Sequence, residues 1–474
     1  MSALVFERML STPEMLAVFS ERSMLQAMLD VEAALARAQA AQGVIPQAAA
    51  KVIEGCCQIS QLDVEAVVNA SARAGSLAIP LVTHLTAAVA EAEESAARFV
   101  HFGSTSQDVI DTAMSLLSRQ ALALLDRDLS RLIAALLQLA EQHADVPVLA
   151  RTLMQPAQVV SVGFKLLAWM APLQRCRMRL QALAHTALQL QLGGAVGSLA
   201  AMGDQGVLVA RRMALDLKLA YAGSSWHTQR DEVVTLACQV GVLCGALGKV
   251  AKDISLMSQL EVGEANEPSG EGRGGSSAMP HKRNPVASMV ALAAALRAPQ
   301  RVAALLAAMV QEHERGLGNW QAELAETAGL YLSAHGALLA LTEAAEQGLQ
   351  LHADRMRANI EALHGLVSAE AAAALFATQL GKPQAHALVA DLCARVAAGG
   401  GHLRKLCIAF IEGDDRLRGH IKAADIEVAF DPDTAAQAAI RAAAPQLAAL
   451  RLAASQSQTQ TQTQTQTQTQ KPTL

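Results

Sequence analysis

A chain of 474 residues is long enough for a large core and two or three structural units. Its formal charge of −5 and pI of about 6.2 give no reason to expect nucleic acid or an anionic membrane as partner. Seven scattered cysteines lack C-x-x-C or zinc-like spacing, and the opening MSALVFERML does not make a signal peptide, so reduced thiols in a cytoplasm are expected.

Abundant Ala and Leu with only 3% aromatic residues favour helix throughout, an all-α class. From Met24 the apolar positions Met24, Met28, Val31, Leu35 and Ala38 step 4-3-4-3, an amphipathic helix that ends at Gly43 with Pro46 beyond. Further helical patterns run to His101. Residues 107–352 read as several very long helices interrupted at 145–147, 193–206, 223–225, 269–284 and 316–318. Helices of that length, apolar on most faces, imply a bundle that buries surface against other subunits as well as itself. Beyond Leu351 shorter helices are broken by Gly365, Gly381, 399–401 and Asp414-Asp415. The expected division is an N-terminal helical domain 1–106, a central long-helix bundle 107–355 and a small helical domain 356–454. The Gln/Thr-rich tail 455–474 has no apolar face to bury and should be disordered.

Mean hydropathy is +0.25, and residues 233–250 and 286–310 are nearly free of charge. Both are rich in small residues, lack aromatic belts and are flanked or interrupted by Arg, Lys or Gln. The centre of a large bundle has the same composition, so no membrane partner is expected.

Three polar clusters sit where a helix should begin. His101-Phe-Gly-Ser104-Thr105-Ser106-Gln107-Asp108 ends in a possible capping box, with Thr105 at the cap and Asp108 three residues on. Arg151-Thr152-Leu153-Met154-Gln155-Pro156 puts Pro156 at a first helical position, and Asn284-Pro285 does the same with Asn284 as cap. Helix starts offer unpaired N–H groups and partial positive charge, which suits carboxylates. Each cluster alone reads as a simple cap; together they suggest a polyanion pocket. Gly270-Glu-Gly272-Arg-Gly274-Gly275 formally fits G-x-G-x-x-G, but no strand precedes it, which argues against dinucleotide binding. His313-Glu314 lacks the second histidine of a zinc helix, so no metal is expected.

Gly275-Ser276-Ser277-Ala278-Met279-Pro280-His281-Lys282-Arg283-Asn284-Pro285 follows a glycine-rich run and precedes a long apolar pattern. A loop carrying Ser, then Lys and Asn, suits a site that closes over an anion and moves a proton beside it. This stretch resembles the Gly-Ser-Ser-x-Met-Pro-x-Lys-x-Asn signature of the fumarase/aspartase superfamily. HFGSTSQDVIDTA at 101–113 and RTLMQP at 151–156 are similar to two further signature regions of its adenylosuccinate lyase-like branch, and LGGAVGS, WHTQRD and His313-Glu314-Arg315 look like other blocks. The resemblance implies a three-domain all-α subunit and a homotetramer with a twenty-helix core. Each active site would be shared between subunits and take a small polycarboxylate.

It also implies roles. Ser276 transfers a proton at a carbon α to a carboxylate, and Lys282 and Asn284 hold the carboxylate whose charge grows. Backbone N–H groups of the preceding glycines, with Lys282, would stabilise the serine alkoxide. Thr105, Ser106, Thr152 and Gln155 would contact other carboxylates, with Gln229 and Arg230 lining the pocket. His281 could assist Ser276 or act as spacer; His84 could belong to the pocket or to a helix surface.

Two positions depart from the pattern. Leu153 stands where the superfamily's lyases carry a histidine that helps the leaving group depart, and Leu324 where adenylosuccinate lyases carry a phosphate-binding arginine. Both losses suit a substrate whose nucleophile or leaving group is its own carboxylate, an intramolecular lactone-forming cycloisomerisation. Such a reaction needs no metal or organic cofactor, because nucleophile and electron sink both lie in the substrate. A C–N lyase and a catalytically silent relative are the alternatives.

Overall fold

The structure, a computed structural model, describes residues 5–270 and 272–469, with side chains as far as residue 454. The tail expected to be disordered at 455–474 has a helical backbone through residue 469, while its side chains, and residues 470–474 altogether, lie outside the described set. The described chain is predominantly helical, with two two-stranded ribbons.

Helix α1 (Glu21–Ala41) carries the predicted stripe: Met28, Val31, Leu35 and Ala38 are buried. Ser20 caps its start, the hydroxyl accepting the Ser23 N–H at 3.2 Å. Its end closes by Gly43 N–H to the Ala40 carbonyl and Val44 N–H to the Gln39 carbonyl, with Gly43 at φ +72°. Then come α2 (Ala78–Ala92), α3 (Ser106–His143), β1 (Pro147–Thr152), β2 (Gln155–Ser161), α4 (Val162–Ala187), α5 (Gly206–Leu217) and α6 (Asp231–Met257). Strand β3 (Ala265–Asn266) precedes the signature loop. After it follow α7 (Val286–Ala308), α8 (Asn319–Glu346), β4 (Gln350–Leu351), α9 (Ala353–Glu361) and shorter helices ending in α10 (Pro432–Thr469). Every interruption read from the sequence falls in a break between long helices.

The chain divides into two compact units. The first comprises residues 1–129, 175–248 and 289–340; the second comprises 130–174, 249–288 and 341–474. The second unit holds a local core around Phe376, Leu403 and Ile426, all buried.

Two expected helix starts are corrected. Residues 151–156 form a hairpin, and Pro156 lies in β2 opposite Arg151. Leu153 and Met154 both take positive φ, +51° and +67°, the geometry of a tight two-residue hairpin turn. Apolar residues then pair across the ribbon, Val148 with Val160 and Leu149 with Val159. Pro156 is tolerated beside the register shift at Ala150/Arg151, where the ladder is already interrupted. The helix begins later, behind Ser161, whose hydroxyl accepts the Phe164 N–H at 3.2 Å.

Asn284 does not cap α7. The Ala287 and Ser288 amides instead donate to the Glu267 carboxylate, each at 2.8 Å. A charged acceptor at a helix start also complements the dipole.

Helices α6 and α7 are long and apolar enough to cross a membrane by length and composition. Much of α7 is uncovered within the chain, with Leu296 75% exposed and Met289 and Leu306 about half exposed.

Candidate active site

In the first unit the turn 101–105 leads into α3. His101 sits at φ +57° with Nδ1 2.6 Å from Glu32 Oε1. Burial disfavours its charge, but the Glu32 carboxylate outweighs that and raises the imidazole above its ordinary range. Gln39 fixes the same turn by donating to the Phe102 carbonyl at 2.6 Å. Thr105 precedes the helix, and its N–H donates to Asp108 Oδ2 at 3.0 Å, one half of the expected capping box. The Thr105 hydroxyl accepts from Arg315 at 2.8 Å. Ser106 is the first residue of α3.

Asp108, 1% exposed, does more than cap. Its carboxylate also accepts the Gly193 and Gly194 amides at 2.9 Å each, and its Oδ1 is 2.8 Å from His227 Nε2. Gly194 stands at φ +70°, and a Cβ there would lie 2.9 Å from the Gly103 carbonyl, so only glycine lets the two turns meet. His227 Nδ1 in turn faces Ser225 Oγ at 3.0 Å. One buried carboxylate thus ties together the turn before Thr105 and Ser106, the LGGAVGS block and the WHTQRD block.

Within that last block Gln229 is exposed, its amide donating to the Ser225 carbonyl at 3.2 Å. Arg230, expected to line the pocket, is interior at 3% exposure. Its Nη1 donates to Asp111 at 2.9 Å, its Nε to Glu323 at 3.0 Å, and its guanidinium lies over the Trp226 ring. Burial opposes its charge, yet the two carboxylates hold it above its ordinary range. With Asp111 and Glu323 it borders a cavity of about 40 Å³. Arg230 therefore braces the segment that presents Gln229. His84 is exposed on α2 with no hydrogen bond among the described residues.

In the second unit, Thr152 and Gln155 flank the hairpin turn and are exposed. Close to the turn the hairpin is held by Arg151, bidentate to the fully buried Glu264 at 2.9 and 2.7 Å, and Asn359 donates to the same carboxylate at 2.8 Å. Glu264 adjoins β3, and two residues past β3's start Glu267 holds the first amides of α7. The signature loop is therefore anchored at both ends by carboxylates.

Inside the loop, Asn284 N–H donates to the Gly274 carbonyl at 2.8 Å and Asn284 Nδ2 to the Gly275 carbonyl at 3.2 Å. Gly274 is at φ +69°, and a Cβ there would stand 2.7 Å from the Asn284 carbonyl oxygen. This brace closes 275–283 and keeps Ser276, Lys282 and Asn284 on one small loop. Ser276 Oγ accepts the Met279 N–H at 3.1 Å and the Ala278 N–H at 3.4 Å. The amides aimed at the hydroxyl oxygen come from residues after Ser276, a correction to the expected contribution of the glycines before it. Lys282 and His281 are exposed on the same loop.

Glu14, Asp128 and His335 are near enough to share a metal ion. Their polar atoms are already engaged: Arg127 bridges both carboxylates, and the His335 ring contacts Thr12 at 2.6 Å and Asp128 at 2.9 Å. The cluster reads as an ion-pair network. The sequence reading missed Asp108 as an organiser, and Glu264 and Glu267 altogether; the only local signal was acid residues just before a glycine-rich loop.

This helical architecture with an intact Ser276–Asn284 loop defines a class. The profile of the Lyase family matches residues 7–299, and the chain belongs to that family, within the fumarase/aspartase superfamily. It is 48% identical over 424 residues to 3-carboxy-cis,cis-muconate cycloisomerase of Bradyrhizobium diazoefficiens, covering 90% of this chain and 93% of the relative. It is 38% identical to nitrosuccinate lyase of Streptomyces davaonensis, covering 88% of each. The crystal structure of 3-carboxy-cis,cis-muconate lactonizing enzyme from Pseudomonas putida superimposes with a TM-score of 0.88 at 41% identity, over 95% of this chain and 99% of that one.

Proposed function

We propose that this chain is a 3-carboxy-cis,cis-muconate cycloisomerase that forms 4-carboxymuconolactone in protocatechuate breakdown. The observation that carries the reading is near full-length 48% identity to an enzyme of that name, joined to an intact Ser276–Lys282–Asn284 loop and an apolar Leu153. One substrate carboxylate oxygen adds across the adjacent double bond, and the electron pair moves onto the neighbouring carboxylate. Lys282 and Asn284 stabilise the resulting aci-carboxylate. Ser276 gives its proton to the α carbon, and solvent restores the hydroxyl. While it is charged, the Ser276 oxygen is held by the Met279 and Ala278 amides and by Lys282. His281, exposed on the same loop, passes the restoring proton or serves as a spacer.

Thr105, Ser106, Thr152, Gln155 and Gln229 take the remaining carboxylates. The nucleophile is already ionised at neutral pH, so nothing at position 153 has to move a proton. Active sites are completed between subunits of a homotetramer. The uncovered apolar face of α7 and the hairpin tip, where Leu153 is 96% exposed, support that assembly. Seven free cysteines support a cytoplasmic setting.

The assay mixes purified protein with 3-carboxy-cis,cis-muconate and follows loss of conjugated-diene absorbance, then repeats the measurement with adenylosuccinate. Loss with the first substrate alone is expected. Turnover of adenylosuccinate alone would make the chain a C–N lyase, and turnover of neither would make it a silent relative.

A further inference from the structure

A cavity of about 740 Å³ lies in the first unit, bordered by α1, α3 and the end of α5. None of the signature residues touches it. Its volume falls in the range of small-molecule sites. No aromatic side chain lines it, which disfavours a stacked base, while the side-chain amides of Gln58 and Gln120 offer partners for hydroxyl groups.

The charges on its wall do not cancel. Arg37 pairs with Glu54 at 2.8 Å, and Asp216 pairs with Arg212 at 3.0 Å. Asp30 takes the Gln26 amide at 2.7 Å. Against Asp30, the one acid left without an ion pair, stand Arg22, Arg119 and Lys218, none with a carboxylate partner among the described residues. Arg119 is the most informative. Its Nη1 donates to the Leu217 and Lys218 carbonyls at 2.6 and 3.1 Å, which fixes the guanidinium plane against the end of α5. Capping that helix accounts for one nitrogen. The Nε and Nη2 groups have no partner among the described residues, although the side chain is partly buried. Burial with no carboxylate to oppose it lowers Arg119 below its ordinary range. Lys218 adds a second cation at the same helix end, held there at φ +55°.

We propose that this cavity is a second ligand site, separate from the signature loop, for a small hydroxylated anion bearing carboxylate or phosphate groups. Arg119 and Arg22 hold the anionic end, Lys218 supplies further charge, and the glutamine amides take hydroxyls. The proposal does not rest on the reaction assigned above.

Calorimetric titration of the whole protein with citrate in one arm and 3-phosphoglycerate in the other tests it. A Lys282→Met background weakens anion binding at the signature loop, and the Arg119 and Arg22 variants below tell the two sites apart. In that background at least one probe should bind saturably, and the arm that binds tells carboxylate from phosphate. Arg119→Gln should weaken that binding about tenfold or more, and Arg22→Gln about threefold, as expected for lost charged hydrogen bonds. Arg22 is exposed and caps nothing, so its effect cannot come from unfolding. No saturable heat for either probe below about 10 mM, a weak affinity by any standard, overturns the site. Unchanged affinity in both Arg22→Gln and Lys218→Gln does so as well.

Discussion

Replacing Asp108 by Asn keeps the size of the side chain but turns one acceptor oxygen into a donor. Oδ1 accepts the Gly193 N–H at 2.9 Å and the Gln191 amide at 3.3 Å and faces His227 at 2.8 Å; Oδ2 accepts the Thr105 N–H at 3.0 Å and the Gly194 N–H at 2.9 Å. Whichever way the amide is turned, its NH₂ meets at least two donors at a site only 1% exposed. A hydrogen bond to a charged group contributes about 1.5–3 kcal/mol, so losing two costs roughly 3–6 kcal/mol locally. That corresponds to about two to four powers of ten in the opening equilibrium of the joined turns. Native-state amide exchange at Thr105, Gly193 and Gly194 should accelerate by that factor. KM should rise too, because Thr105 and Ser106 lose their rigid support. Exchange within threefold of wild type at all three amides would refute the view that this carboxylate organises the site.

The His101–Glu32 pair predicts a pH dependence. Because the folded imidazole titrates above its ordinary value, its stabilisation is fully present below about pH 6.5 and fades as pH rises through the raised value. The stability gap between wild type and His101→Gln in urea unfolding should therefore shrink from pH 6 to pH 9; a gap that widens contradicts the pairing. Gly274→Ala forces a Cβ to within 2.7 Å of the Asn284 carbonyl at a φ of +69°. The left-handed conformation alone costs about 1–2 kcal/mol, and the displaced brace should lower kcat about tenfold or more. Full activity in that variant would mean that the loop tolerates opening at this point.

The elements most legible in the sequence were those with local causes. The stripe from Met28 to Ala38 and the Gly43 stop lie within one helix, and the signature loop is contiguous. The hairpin was hidden because Leu153-Met154 carries none of the Asn or Gly residues that usually mark a two-residue turn. Asp108 looked like a local cap because only Thr105 is near it in sequence; Gly193, Gly194 and His227 lie 85, 86 and 119 residues away. The same distance effect hid Glu267, which replaces Asn284 as the cap of α7 from 20 residues upstream. Arg230 was read as a pocket cation because its partners Asp111 and Glu323 lie on helices remote in sequence.

The most direct test of the account is kcat of Ser276→Ala on 3-carboxy-cis,cis-muconate, with size-exclusion scattering run on the same sample to show the assembly unchanged. A lost proton donor should lower kcat by about 10²–10⁴-fold. A rate within threefold of wild type, from an intact assembly, would mean that another group delivers the proton to carbon.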